Sequence, residues 1–236
     1  ADLPDLALVA VTGRNSRTCA ALAERYGVRA IRDWRELVTI DDLDAVFVTT
    51  HPDTHAEMAL AALEQGRNVF LESTLAITVA DADAVAEAAR SRGLVVRVGH
   101  TRVLRPVSLV VAEQVERLGG PVLDDVRIQS VNDLRRGRVE GFDMRITGHP
   151  FLYAITLGLP AVFGRGRIAS IRASARIVGN GPVFESCVAT TEIVFESGVV
   201  ANIAYLRGFD WTGPGWRTVA CQNGSVRVVD TASHVE

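Results

Sequence analysis

Residues 44–76 read DAVFVTTHPDTHAEMALAALEQGRNVFLESTLA, and their pattern decides how the chain folds. Ala45–Val48 is a short apolar run that ends in the turn residues Thr49, Thr50, His51 and Pro52. Ala59, Ala62, Leu63 and Gly66 then recur at helical spacing, and from Asn68 to Leu71 the chain turns apolar again. Two buried strands joined by a helix make a right-handed βαβ unit of a parallel sheet. Ligands of such sheets bind outside the carboxyl ends of the strands. Those ends are Thr49–His51 and Glu72–Thr74, so chemistry is expected there.

Upstream, Leu6–Val11 is an apolar strand, and a helix follows, capped by Asn15 or Ser16 and closed by Gly27. Arg29–Ile31 is a short strand and Trp34–Val38 a brief helix. Downstream, Thr78 caps a helix with Asp81 and Asp83 in its first turn, Arg90 and Arg92 in its last, and Gly93 at its end. Leu94–Val98 is another buried strand. This alternation predicts a Rossmann-like, doubly wound α/β domain over residues 1–118.

After Gly119-Gly120-Pro121 the period shifts toward two. Val122–Val131, Arg167–Val178, Val188–Phe195, Val199–Leu206, Arg217–Cys221 and Val226–Val229 read as strands, and Pro150–Gly158 as the one helix among them. Ser197-Gly198 and Asn223-Gly224 read as hairpin turns, the second as type I′. Residues 119–236 are thus expected to form an α+β domain with an open antiparallel sheet, serving substrate binding or oligomerisation.

Composition narrows the function. A chain of 236 residues with 48% hydrophobic and 22% charged residues can bury a real core. A formal charge of -3 offers no footprint for nucleic acid. No apolar run approaches the ~20 residues that cross a bilayer. No signal peptide is visible, and a start at Ala1 rather than Met leaves room for an upstream segment. Cys19, Cys187 and Cys221 are few and unpatterned, which favours a reducing, cytoplasmic compartment. All 25 basic residues are arginine; there is no lysine to act as acid, base or Schiff-base nucleophile. Arginine stays protonated and cannot take over that work.

The order of these motifs resembles the Gfo/Idh/MocA family of oxidoreductases. The family's D-A-V strand, Thr-Pro, His, helix, Gly and strand ending in Glu-Lys-Pro are matched along Leu43–Ala76. Gly99–Pro106, GHTRVLRP, resembles the next motif, and Gly148-His149 the Gly-x-His neighbourhood of the second domain. The resemblance implies a Rossmann domain joined to an open sheet domain. It also implies hydride transfer between NAD(P) and a sugar, cyclitol or related small molecule.

Three departures stand out. The chain opens at what reads as the family's second strand, without the G-x-G-x-x-G turn that holds the cofactor pyrophosphate. It is therefore expected to be either a fragment or a reduced relative, and binding of NADP or NAD depends on what precedes Ala1. The Glu-Lys-Pro motif is Glu72-Ser73-Thr74, so the family's proton-transferring lysine is a serine, a poor substitute. With Thr74 in place of proline, a cis peptide at this corner is not expected. In the second domain Arg145 stands where the family has an aspartate, and His149 is retained.

The candidate residues follow. Gly13-Arg14-Asn15-Ser16 resembles the NADP type of strand end, and stands against an ordinary strand-to-helix turn with a solvated arginine. Thr50, His55 and Glu72 match positions near the cofactor, His55 more as structural support than as a contact. His51 and His55 have i, i+4 spacing, but Pro52 takes His51 off the helix face and no third ligand is patterned, so no metal is expected. His149 is the catalytic candidate, because histidine titrates near neutral pH. Ser73, Arg102 and Arg145 would line the substrate side, the two arginines suiting an anion. The expected function is an NADP-leaning oxidoreductase with a degenerate proton-transfer site and a small-molecule substrate. It would form a homo-oligomer through its antiparallel sheet, with no nucleic-acid or membrane partner. The alternatives are a non-catalytic binding or scaffold protein of the same fold, or a cofactor-independent enzyme using an Arg/His pocket.

Overall fold

In the computed structural model, which describes residues 5–99, 106–130, 166–178, 186–207 and 215–230, the βαβ unit forms where its periodicity puts it. Strand β3 (Ala45–Val48) runs into a 3₁₀ turn (Pro52–Thr54), helix α3 (His55–Glu64) and strand β4 (Asn68–Glu72). β3 and β4 pair in parallel, Ala45 opposite Asn68 and Val48 opposite Leu71, and β5 (Val96–Gly99) pairs in parallel on the far side of β4. Val46, Val48, Val69 and Leu71 alternate onto one buried face and meet Ala59, Ala62 and Leu63 of α3 and Val85 and Ala89 of α4 (Val79–Arg92). Arg67, just before β4, donates to the carbonyls of Ile40 and Leu43 and so anchors the turn that leads into β3.

The chain divides into two compact units, Ala1–Gly99 and His100–Glu236. Within the first, β1 (Ala10–Val11) and β2 (Arg29–Ala30) form a parallel pair of their own, with α1 (Ser16–Tyr26) between them in sequence and α2 (Trp34–Val38) following. The strand expected over Leu6–Val11 shrinks to two residues because β2 offers partners only to Val9 and Val11; Leu6 and Leu8 remain 60% and 52% exposed. The helix ends are as the sequence predicts. Asn15 accepts from the Thr18 amide, Thr78 from the Asp81 amide, and Gly27 and Gly93 close α1 and α4 at positive φ. Each polar N-cap contributes about 1 kcal/mol.

Among the described residues, the second unit forms a six-stranded sheet in the order β11-β10-β6-β9-β8-β7. Its strands are β6 (Pro121–Ser130), β7 (Ile168–Val178), β8 (Ser186–Phe195), β9 (Val200–Arg207), β10 (Gly215–Cys221) and β11 (Gly224–Asp230). Every pairing is antiparallel except β6 with β9, which is parallel, so the sheet is mixed rather than purely antiparallel. Val126, Ala189, Ile193, Ala201, Ile203 and Val219 are buried at period two on one face. Helix α5 (Pro106–Arg117), which the sequence assigns to the first domain, falls in this unit; Val111 and Val115 pack with Val219 and Cys221 of β10. The β8–β9 hairpin turns at Glu196–Gly198 with Gly198 at φ 83°. The Asn223-Gly224 expectation needs correction. Cys221 pairs with Gly224, so the two turn residues are Gln222 and Asn223, and Asn223 has no positive φ, which rules out type I′. The Pro150–Gly158 helix lies outside the described residues.

On the buried face Asp124 is fully enclosed and takes two hydrogen bonds from Arg217, Nε to Oδ1 at 2.9 Å and a terminal nitrogen to Oδ2 at 2.6 Å. Burial raises the Asp124 carboxyl above its ordinary value, and the bonds and charge of Arg217 offset part of that rise.

Candidate functional site

The carboxyl ends of β1, β3 and β4 carry the candidate residues of the first unit. After β1 comes Gly13-Arg14-Asn15-Ser16, which runs straight into α1. The Asn15 side-chain oxygen is spent on the cap, accepting from Thr18 N at 3.1 Å. A Cβ at Gly13 would stand 3.1 Å from Cys19 Sγ, close enough that the thiol would have to give way by a few tenths of an ångström. Arg14 and Arg17 are both exposed, and the first turn of α1 contains no acidic residue. Two guanidinium groups at the positive end of a helix repel each other and the macrodipole unless an anion sits between them. Arg17 is a residue that the sequence reading passes over; its signal is a basic side chain where an acidic one would be favoured.

At the end of β3, Thr54 Oγ1 donates to the His51 carbonyl at 2.8 Å, which leaves Thr50 Oγ1 to donate to Thr54 Oγ1 at 2.7 Å. Thr50 thus has its hydroxyl fixed while the side chain stays exposed. His55, the first residue of α3, is completely buried. Its Nδ1 lies 2.5 Å from the Thr74 carbonyl oxygen and its Nε2 3.1 Å from that of Thr50. It therefore stands behind the two turns and supports them from the inside.

At the end of β4, Glu72 is exposed and lies beside Gly99 of β5. A Cβ on Gly99 would come within 3.3 Å of Glu72 Oε2 and 3.2 Å of the Phe70 ring, so glycine there leaves room for the carboxylate. Ser73 follows, half-buried. The peptide between Ser73 and Thr74 is cis, against the expectation drawn from the missing proline. The Thr74 carbonyl is held by the His55 ring rather than by any property of a proline, and Thr74 Oγ1 is buried with no hydrogen-bond partner among the described residues. His149, Arg102 and Arg145 lie outside the described residues, as do His100 and Arg105. Among the described residues no group of three His, Cys, Asp or Glu side chains gathers into a metal site, Cys19 and Cys221 are buried free thiols, and no helix is long and apolar enough to cross a membrane.

The exposed arginines at the start of α1 follow the strand of one parallel pair, and the exposed Thr50 and Glu72 follow strands of the other parallel sheet, so donors, acceptors and positive charge stand at carboxyl ends of parallel strands. The chain is 38% identical over 100 residues to 4-carboxy-2-hydroxymuconate-6-semialdehyde dehydrogenase of Sphingobium sp. strain SYK-6, a match covering 42% of this chain and 32% of that protein. It is 40% identical over 96 residues to inositol 2-dehydrogenase 3 of Saccharopolyspora erythraea, covering 40% of this chain and 28% of that one. The matched stretch thus covers about a third or less of each relative's own length. In fold, the structure superposes with a TM-score of 0.81 on biliverdin reductase from Synechocystis sp. PCC 6803, solved with biliverdin and NADP+, at 24% identity over 94% of this chain and 71% of that one. Residues 1–100 match the family described as oxidoreductases with an NAD-binding Rossmann fold. Over those residues, fewer than half of the chain, the sequence is similar to the Gfo/Idh/MocA oxidoreductases.

Proposed function

We propose that this protein is an NAD(P)-dependent oxidoreductase that leans toward NADP, acts on a sugar-, cyclitol- or small-acid-like substrate, and has a weakened proton-transfer step. The observation that carries the reading is the pair Arg14 and Arg17, exposed at the N-terminus of α1 directly after β1. A ribose 2′-phosphate suits two guanidinium groups and a helix N-terminus, whereas the ribose hydroxyls of NAD suit an acidic side chain.

In this reading Arg14, Asn15 and Ser16 hold the adenosine end, and Thr50 and Glu72 orient the nicotinamide end with His55 behind them. The bound nicotinamide supplies or accepts the hydride. Ser73 stands beside the substrate hydroxyl, where a serine donates a hydrogen bond but cannot hold a proton at neutral pH. His149 is assigned the hydroxyl proton, and Arg102 and Arg145 the anchoring of an anionic substrate. Homo-oligomerisation through the open sheet and a reducing, cytoplasmic compartment complete the proposal. A non-catalytic binding role is favoured by one observation of its own, the total absence of lysine.

The test is a fluorescence titration of the natural full-length protein with NADPH and NADH. NADPH is expected to bind about tenfold or more tightly than NADH, and Arg14→Ala to remove that preference with little change for NADH. Equal binding of the two, or a preference that survives Arg14→Ala, would overturn the NADP assignment. Tight binding without turnover on any polyol would favour the non-catalytic role.

A further inference from the structure

Burial on the inner face of the six-stranded sheet stops one strand short of its edge. Ala189 and Ile193 of β8 are buried, yet their cross-strand partners in β7, Ala175 and Ile171, are exposed, Ile171 to 57%. Every side chain from Arg167 to Arg176 is exposed, on both faces of the strand. β7 is nevertheless 11 residues long and pairs with β8 from end to end, while no described residue pairs with its other side. A long edge strand with an apolar face offers its free amides and carbonyls to another strand. The hydroxyls of Ser174 and Thr190 lie 2.9 Å apart, which sets Ser170, Arg172, Ser174 and Arg176 on the second face of β7.

Charge on an edge strand discourages pairing where like charges meet head-on. The sequence of β7 avoids that meeting with its own copy. A two-fold axis perpendicular to the sheet keeps the two faces separate, and pairing the whole of Ile168–Val178 puts that axis at Ala173. In this register Arg172 stands opposite Ser174 of the second copy, Arg176 opposite Ser170, and Ile171 opposite Ala175. Shifting the axis by one residue sets arginine against arginine: Arg172 against itself, or Arg172 against Arg176. Glu192 of β8, opposite Arg172, adds a counter-charge on the same face. We propose that β7 is the edge at which a second copy of this chain adds, antiparallel and centred on Ala173, so that the two sheets join edge to edge. The exposed Ile171 is then covered, and each arginine has a hydroxyl to donate to. This rests on the homo-oligomer reading above and places the contact at the strand edge rather than on the open face of the sheet.

Cysteine cross-linking of the natural full-length protein under a mild oxidant tests the register. At position 173 the two copies meet on the axis with Cβ atoms about 4.5–5.5 Å apart, whereas at position 175 they stand roughly 14 Å apart along the strand. Ala173→Cys is therefore expected to give a disulfide-linked dimer on non-reducing gels, and Ala175→Cys no more than the unsubstituted protein. Both alanines lie on the inner face, so dimerisation through the open face would link neither. Light scattering over a dilution series supplies a second readout, in variants with an unchanged far-ultraviolet spectrum. Ser174→Arg sets a guanidinium against Arg172 twice in each dimer and is expected to weaken dimerisation about tenfold, and Ser174→Glu to tighten it about as much. A dimer that Ser174→Arg leaves intact, or no cross-link specific to Ala173→Cys, would overturn the pairing at β7 while homo-oligomerisation stands. A protein that stays monomeric throughout, Ser174→Glu included, would overturn both.

Discussion

Asp124→Ala should lower the unfolding free energy by about 3–5 kcal/mol, the largest single stability effect expected in the second unit. The two partners sit on neighbouring strands, β6 and β10, and both face the buried side of the sheet. Removing the carboxylate leaves a guanidinium group only 9% exposed without the two bonds it made at 2.9 and 2.6 Å. Arginine cannot shed its proton to escape, so the charge stays buried without that carboxylate. Removing both charges is a different experiment. Asp124→Leu combined with Arg217→Met takes away the ion pair and its desolvation cost together, and should cost much less than Asp124→Ala alone. Urea unfolding of the three proteins, followed by tryptophan fluorescence, measures the difference. A double variant as unstable as the single one would show that the pair supports the sheet by more than mutual charge.

Ser73→Lys should raise hydride-transfer turnover by about 10²–10⁴-fold, the span that a positioned acid–base group contributes. Ser73 is half-buried at the end of β4, next to the exposed Glu72. The backbone around it is already set by the His55 contact to Thr74, so a longer side chain enters an existing corner. These 236 residues hold 25 arginines and no lysine, so none of them brings a lysine ammonium to compete with the introduced one. The assay is NAD(P)+ reduction with a panel of inositols and sugars, and Ser73→Met controls for side-chain length without charge. If Ser73→Lys and Ser73→Met are equally slow, the missing lysine is not what limits turnover.

Residues 44–76 were legible because their elements are local. A period-2 run, a period-3.6 run and another period-2 run, punctuated by Pro52 and Gly66, leave one arrangement, and β3, the helix and β4 fall on it. Caps are equally local, which is why Asn15, Gly27, Thr78 and Gly93 do what their side chains or lack of one predict. Strand length is not local. Leu6 and Leu8 are as apolar as any core residue, but without a partner strand alongside them they stay out of the ladder. The parallel pairing of β6 with β9 joins residues far apart in sequence, and alternation carries no sign of strand direction. The Asn-Gly pair at 223–224 misled because Cys221 and Gly224 close the turn one residue earlier than the dipeptide suggests.

The candidate site was half legible. Motif order pointed to Thr50, Glu72 and the arginine after β1, since their chemistry follows from the ends of strands. The role of His55 was legible only as support, because its meaning lies in two backbone oxygens that no side-chain pattern encodes. The same holds for the cis peptide after Ser73, where the expectation rested on residue type alone. The signal of Arg17 lies in charge rather than in a motif, a basic side chain where the first turn of α1 would favour an acidic one.

The central claim is that a nicotinamide dinucleotide lies across the carboxyl ends of β1, β3 and β4. Amide NMR shifts of the natural full-length protein, followed as NADPH is added, test this most directly. The account predicts saturable shifts concentrated at Gly13–Arg17, Thr49–His51 and Glu72–Thr74. Shifts confined to β6–β11, or no saturable shift at all, would contradict it.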